Sequence, residues 1–317
     1  MGCYSKTVKN DSTSQAIPKD TIRHPSDSIA RIIFPKIETD LEQLGLKGKV
    51  KIYREQFFDA HDSAGKIIFD SSFKFNQIWI YCFDSAGNRV ELKTILRDGK
   101  IGQHYRYEFS KGEKKQYRMD ERGWVLDERT LYDSARHVIE EDSYDYDGNI
   151  DRTVYRLDST GREIRSRTQL EDSLENYTTT TYYKNGNFVT RQYKPDESLD
   201  KSTVYSYDDK GNELAELETD SAGGFNAKVI YAYDELGNMI QEIHYGAMDT
   251  IFSKTFYTYD AHGNKTQEEQ YLMPKDTLAF KYNWINEYDK NENIIRQIHQ
   301  RNNRVIGVEF RKIEYYP

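Results

Sequence analysis

From about residue 47 to the C-terminus, apolar and polar residues alternate in short runs, each broken by a cluster of Asp, Asn, Ser and Gly. Period-two alternation bounded by such clusters reads as strands joined by tight turns. Before successive turns, Tyr205 and Tyr207, Tyr231 and Tyr233, and Tyr257 and Tyr259 fall on one strand face. After them, Leu214 and Leu217 correspond to Ile240 and Ile243. The expected fold class is all-β. An array of antiparallel hairpins should form one elongated, twisted sheet, curled into a partial barrel or spiral of about 20 strands at the usual strand-plus-turn spacing.

The segment ahead of the array is of another kind. Ile22, Ile29, Ile32, Ile33 and Phe34 are apolar, and Asp40-Leu41-Glu42-Gln43-Leu44 before Gly45 suits a short helix ended by glycine. Residues 21–46 are expected to cap the first edge strand, since repeat arrays need protected ends. The chain then divides into a disordered polar tether (1–20), this cap (21–46) and the hairpin array (47–317).

The turns repeat in sequence as well as in kind. Tyr207-Asp208-Asp209-Lys210-Gly211-Asn212 is followed by Tyr233-Asp234-Glu235-Leu236-Gly237-Asn238 and by Tyr259-Asp260-Ala261-His262-Gly263-Asn264, about 26 residues apart. Tyr144-Asp145-Tyr146-Asp147-Gly148-Asn149 and Phe83-Asp84-Ser85-Ala86-Gly87-Asn88 match the pattern earlier on. Tyr288-Asp289-Lys290-Asn291-Glu292-Asn293 is a degenerate last copy in which Glu292 replaces the glycine. Asp at the first turn position accepts from backbone N–H groups two residues on, and Gly supplies the left-handed conformation. Between Met119 and Leu157 the motif recurs about every 12 or 13 residues, so there both ends of the sheet should use it.

These hexapeptides resemble the YD-repeat (RHS-repeat) family, and the Tyr-Asp-x-x-Gly-Asn core covers the chain from about residue 47 onward. The strand around Leu46-Lys47-Gly48-Lys49-Val50-Lys51 is similar to the first strand of small YD-repeat lipoproteins of Bacteroidetes type. In large relatives the resemblance implies a spiral shell around a toxin. This chain is too short for such a shell and lacks the Pro-rich segment that ends it, so encapsulation is not carried over.

Composition narrows the reading. Hydrophobic residues are 37% of the chain and mean hydropathy is -0.89, low for a compact globule. Yet aromatics reach 14%, which excludes disorder of the array and fits a sheet whose faces are covered by tyrosine. A net charge of -8 leaves no basic stripe for nucleic acid. With two cysteines there is no disulfide framework, and Cys82, in the apolar run Ile78 to Phe83, is expected to be a buried small hydrophobe.

At the N-terminus, Met1-Gly2-Cys3 followed by a polar tether resembles the end of a bacterial lipobox, which implies lipidation of Cys3. Two rivals stand beside it. N-myristoylation wants Ser or Thr where Lys6 stands, and Cys3 alone in a tail is a free thiol. No run reaches the roughly 20 apolar residues of a membrane-spanning helix, so contact with a membrane is expected only through a lipid anchor.

Catalytic chemistry is not visible. None of the seven histidines has metal-ligand spacing. Asp145-x-Asp147-Gly148 resembles part of a calcium loop, but that register puts Ser143 first and Val154 last, and Val154 cannot ligate through its side chain. Glu140-Glu141-Asp142 and Glu268-Glu269 are carboxylate pairs with nothing to single them out. No catalytic residue, metal or cofactor is expected. The candidate binding face is Tyr205, Tyr207, Tyr231, Tyr233, Tyr257 and Tyr259, which either meets a protein or sugar or packs as a cross-strand ladder. The expected function is a non-catalytic scaffold or binding protein of the bacterial cell envelope, an outer-membrane lipoprotein on the periplasmic or surface side, recognising another protein. Immunity to a delivered toxin and glycan binding as an adhesin are the alternatives.

Overall fold

An aspartate that accepts from two backbone N–H groups, followed by a residue at positive φ, reverses the chain, and this chain does so repeatedly. Asp208 Oδ1 accepts from the N–H groups of Lys210 (2.9 Å) and Asn212 (2.8 Å), while Asn212 Nδ2 donates to Asp208 Oδ2 (2.9 Å). Gly211 takes φ +89°. The same bonds recur at Asp84 and Asn88, Asp145 and Asn149, and Asp234 and Asn238. In the last copy Glu292 adopts φ +64° in the glycine's place, and Asp289 still accepts from Asn291 and Asn293. That copy turns without the glycine, and Leu96 to Lys100 turns without the aspartate, with Gly99 at φ +81° and Leu96 N–H donating to Lys100 C=O (2.8 Å).

The computed structural model describes residues 39–69, 77–170, 173–183 and 185–317. Cys3, the tether and residues 21–38 of the expected cap lie outside them. The first strands are β1 (Val50–Ser63), β2 (Lys66–Phe69), β3 (Ile78–Phe83), β4 (Arg89–Ile95), β5 (Ile101–Ser110), β6 (Glu113–Asp120) and β7 (Gly123–Tyr132). Then come β8 (Val138–Tyr144), β9 (Ile150–Leu157), β10 (Glu163–Leu170), β11 (Ser173–Tyr182), β12 (Phe188–Tyr193), β13 (Leu199–Tyr207) and β14 (Glu213–Asp220). The last are β15 (Phe225–Tyr233), β16 (Met239–Gly246), β17 (Thr250–Tyr259), β18 (Lys265–Leu272), β19 (Thr277–Tyr288), β20 (Ile294–Arg301) and β21 (Arg304–Tyr315).

The strands pair antiparallel in sequence order, and the ring closes because β1 pairs with β21 on one side and β3 on the other. The expectation of an open, curled sheet is thus corrected: 20 strands form a closed barrel, and β2 stands outside the ring as a hairpin partner of β1. Closure is sealed by the last turn motif. Asn293, 2% exposed, accepts from Lys47 N–H (2.7 Å) and donates to Lys47 C=O (2.8 Å) and Tyr315 Oη (2.7 Å). As expected from the spacing, Asp133 and Asp158 turn at one end of the barrel, and Asp120 and Asp145 at the other.

Helix α1 (Asp40–Gln43) forms where the sequence places it, with a capping box between Thr39 and Glu42. It covers no free edge, since β1 has none. Instead Leu41 N–H donates to Gly87 C=O (3.2 Å), Asp40 accepts from Arg89 N–H (2.8 Å), and Leu41 packs with Leu46, Val50, Tyr53 and Phe83. A second small core, Ala60, Val305 and Val308, lies where Ile67 of β2 and Ile298 cover the wall.

Strand alternation gives the wall two faces. On β17, Ser253 and Thr255 are 2% and 4% exposed, whereas Phe252 and Phe256 are 50% and 38% exposed. The more covered face, which also carries Tyr53 and Phe83 under α1, is the concave, inward one. The outward face is laced with ion pairs. Arg129 and Arg152 converge on buried Asp142 (3.3 and 2.7 Å), and Lys281 meets Glu269 (2.8 Å). About eight strands are just filled by their own side chains and roughly 16–18 leave a channel, so this ring encloses a lumen. Every substantial strand contact among the described residues is between hydrogen-bonded neighbours.

Two outcomes follow. Asn293→Ala should lower urea-unfolding stability by about 1–3 kcal/mol, more than Asn212→Ala, whose amide donates within its own turn; equal losses would mean the seam bond adds nothing. Second, the Asn side chains, helped by backbone N–H groups, hold Asp145, Asp208 and Asp234 below the usual carboxylate range. A depressed folded pKa stabilises above the unfolded value and is lost as pH falls through the folded one, so the melting temperature should drop below about pH 4. A melting temperature unchanged from neutral pH down to about pH 2 would refute this.

Candidate functional site

The six sequence-selected tyrosines share the inward face. Tyr205, Tyr231 and Tyr257 lie directly opposite Glu216, Glu242 and Glu268 across their hairpins. Tyr257 Oη donates to Glu242 (2.8 Å), Tyr207 Oη to Glu213 (3.2 Å) and Tyr259 Oη to Met239 C=O (2.7 Å). Tyr205 stacks on Phe188 at 4.7 Å between ring centres. Burial, then the neighbouring carboxylates Glu213, Glu216 and Glu242, pushes the Tyr231 phenol up to about 12. Burial likewise raises Tyr207 and Tyr257, so these hydroxyls remain donors at neutral pH. The hydroxyls of Tyr231 and Tyr233 make no hydrogen bond within the described residues.

At three turns the residue just after the turn leans over an aromatic ring of the next strand. Arg89 lies over Tyr107 (4.7 Å), Phe188 over Tyr205, and Lys265 over Trp284 (5.8 Å) while also covering Tyr257 (4.2 Å). Lys265 also pairs with Glu268 (3.0 Å). Register sets Glu213 at that same post-turn position, opposite Tyr207 as Lys265 is opposite Tyr259. Burial first, and then Glu216, raises the Glu213 carboxyl, which the Tyr207 hydrogen bond only partly offsets. No cation is paired with Glu213 or Glu216 among the described residues.

Beside them the inner wall has a cavity of about 240 Å³, lined by Thr178, Thr190, Gln192, Thr203, Tyr205 and Glu216 together with a Lys201–Glu218 pair at 2.7 Å. These donors, acceptors and rings can hold a polar or cationic group against an aromatic surface. Glu216, Glu242 and Glu268 went unnoticed in the sequence, although each follows its tyrosine partner by eleven residues.

Other sequence candidates do not converge. Glu268 and Glu269 point to opposite faces, as do Glu141 and its neighbours Glu140 and Asp142. His104, His137 and His244 each pair with a carboxylate, Glu91, Asp133 and Glu242. Cys82, expected to be buried, is only partly buried, on the outward face with Sγ 3.5 Å from Glu91, because its strand alternates and it is Trp79, Tyr81 and Phe83 that turn inward.

No protein-family profile matches the chain, and no curated protein matches it. Among solved structures, a porin-like protein from Bacteroides uniformis ATCC 8492 is similar at 11% identity, with 84% of this chain and 99% of that one covered and a TM-score of 0.37. A porin-like protein from Bacteroides vulgatus ATCC 8482 gives 9% identity, 86% and 99% coverage and a TM-score of 0.31. The TcdB2-TccC3-TEV structure gives 13% identity and a TM-score of 0.23, with 78% of this chain but 18% of that one covered. At these TM-scores the likenesses say nothing of function. A lipid-facing barrel carries an outward apolar band about 25 Å tall; here the outward face holds Arg129, Arg152, Glu140 and Asp142 across β7 to β9, and Val189, Val204, Leu217, Ile230 and Ile243 across β12 to β16.

If the post-turn position is a cation seat, Glu213→Lys should stabilise the fold by about 0.5–1 kcal/mol, relieving repulsion with Glu216 and placing an ammonium by Tyr231. Thermal unfolding decides it, and a lower melting temperature would mean that the seat of Lys265 is not reproduced here.

Proposed function

We propose that this protein is a non-catalytic binding module of the cell envelope, built of YD-type repeats, held to a membrane by lipid on Cys3, and taking an extended segment of a partner protein into its lumen. One observation carries the reading: the tyrosines and their opposing glutamates face inward, while the outward face spends its charges on itself in ion pairs. An aromatic wall with carboxylates suits a ligand thin enough to enter, and binding surfaces draw their affinity from such anchors. The resemblance of the turns to YD repeats supports a structural rather than catalytic role. The polar cavity at Tyr205 favours a second reading, a glycan whose ring stacks on tyrosine.

Crosslinking in the host envelope followed by purification through a C-terminal tag tests both. The protein reading expects one stoichiometric partner, lost in the Tyr231→Ala/Tyr257→Ala double variant and kept in outward-facing Glu269→Gln. Recovery of polysaccharide alone would move the assignment to the glycan. A partner retained by the double variant would remove the lumen as the binding surface. In the same cells Cys3→Ala should shift the protein from the membrane to the soluble fraction, and continued membrane retention would rule out the anchor.

A further inference from the structure

We infer that the patch formed by Glu213, Glu216, Tyr207, Tyr231 and Tyr233 is a seat for a lysine or arginine side chain of an extended basic polypeptide. This rests on the proposed use of the lumen and names the chemistry of what enters it.

The barrel supplies its own template. Two hairpins further on, at the same register, the Lys265 ammonium sits 4.2 Å from the centre of Tyr257 and 3.0 Å from Glu268. On the β3–β4 hairpin, Arg89 places a guanidinium 4.7 Å over Tyr107 and near Asp40. Both are cations on an aromatic ring, backed by a carboxylate, and contributed by the residue after the turn. At Glu213 the ring and the carboxylates remain and the cation is missing. The counterparts of Tyr257 and Glu268 are Tyr205 and Glu216, and the ring that Glu213 leans towards is Tyr231, as Lys265 leans towards Trp284.

Charge on this wall favours the same occupant. From β13 to β18 the inward face presents Glu213, Glu216, Glu218, Glu242 and Glu268 against Lys201 and Lys265, and those two lysines are bonded to Glu218 and Glu268. His244 takes Glu242 at 2.6 Å. The charge left uncompensated is therefore at Glu213 and Glu216, and Glu216 also lines the cavity beside Lys201 and Tyr205. A cation arriving there meets tyrosine faces and two carboxylates, the arrangement that recognises alkylammonium and guanidinium groups.

The test uses the full chain and acetylated, amidated hexalysine as probe, followed by titration calorimetry. The wild type should bind, with affinity falling as salt rises. Glu213→Lys should weaken binding by about tenfold or more by filling the seat from within, and Glu216→Gln should weaken it less. Outward-facing Glu269→Gln should bind as the wild type does, which separates the seat from general attraction to an acidic protein. Because Glu213→Lys is expected to be the more stable protein, loss of binding in it cannot be laid to misfolding; melting curves check this. Hexalysine that fails to bind the wild type, or binds Glu213→Lys equally well, overturns the inference. If the native partner still depends on Tyr231 and Tyr257 in that case, the lumen reading stands and only the basic character of the ligand falls.

Discussion

The constraint on which everything else depends is that a strand cannot leave its edge N–H and C=O groups unpaired without inviting another chain to pair with them. Here β1 closes the edge of the ring by pairing on both sides. Closure then fixes which face turns inward, which side chains are crowded and which pair with one another across the hairpins. The seam bond from Asn293 to Lys47 joins residues far apart in sequence, so the array becomes a ring only when its two ends meet.

A wall one sheet thick has little interior, and the chain is economical with apolar residues accordingly. Among the described residues two buried clusters sit at the seam, under α1 and under β2. Elsewhere backbone pairing, aspartate-locked turns and cross-strand pairs such as tyrosine with glutamate hold the strands in register. Those same pairs create the inward chemistry, so the residues that stabilise the wall also define what it can bind. The post-turn position shares this double duty and is the one that varies, with Arg89, Phe188, Glu213, Met239 and Lys265 occupying it in different repeats.

Much of this was legible in the sequence. The Asp-x-x-Gly-Asn spacing gives the turns, alternation gives the strands, and Asp40 to Leu44 before Gly45 gives the helix. Closure was not legible, because no local pattern records that β21 will find β1; Lys47 and Asn293 become partners only in the folded ring. Nor did alternation say which face is concave: one face carries Tyr and Glu, the other Val204, Leu217, Ile230 and Ile243, and no residue pattern records which way the wall curves. For the same reason Cys82 was misplaced: its apolar neighbours Ile80 and Tyr81 point to opposite sides, and the run as a whole is not buried. The glutamates opposite the tyrosines were within reach of sequence reasoning, through their constant spacing, once hairpin register is taken into account.

The position of β2 outside the ring has an arithmetical consequence. An antiparallel meander can join its first and last strands antiparallel only when the number of strands between the two sides of the seam is even. The described residues contain an odd number of strands, and the detour through β2 restores parity. A whole repeat contributes one hairpin, so gain or loss of a full repeat would alter the circumference by two strands and leave the seam able to close. Gain or loss of half a repeat would bring β21 to β1 in the wrong direction. Barrel size in this architecture is thus quantised, and the natural unit of variation is the hairpin.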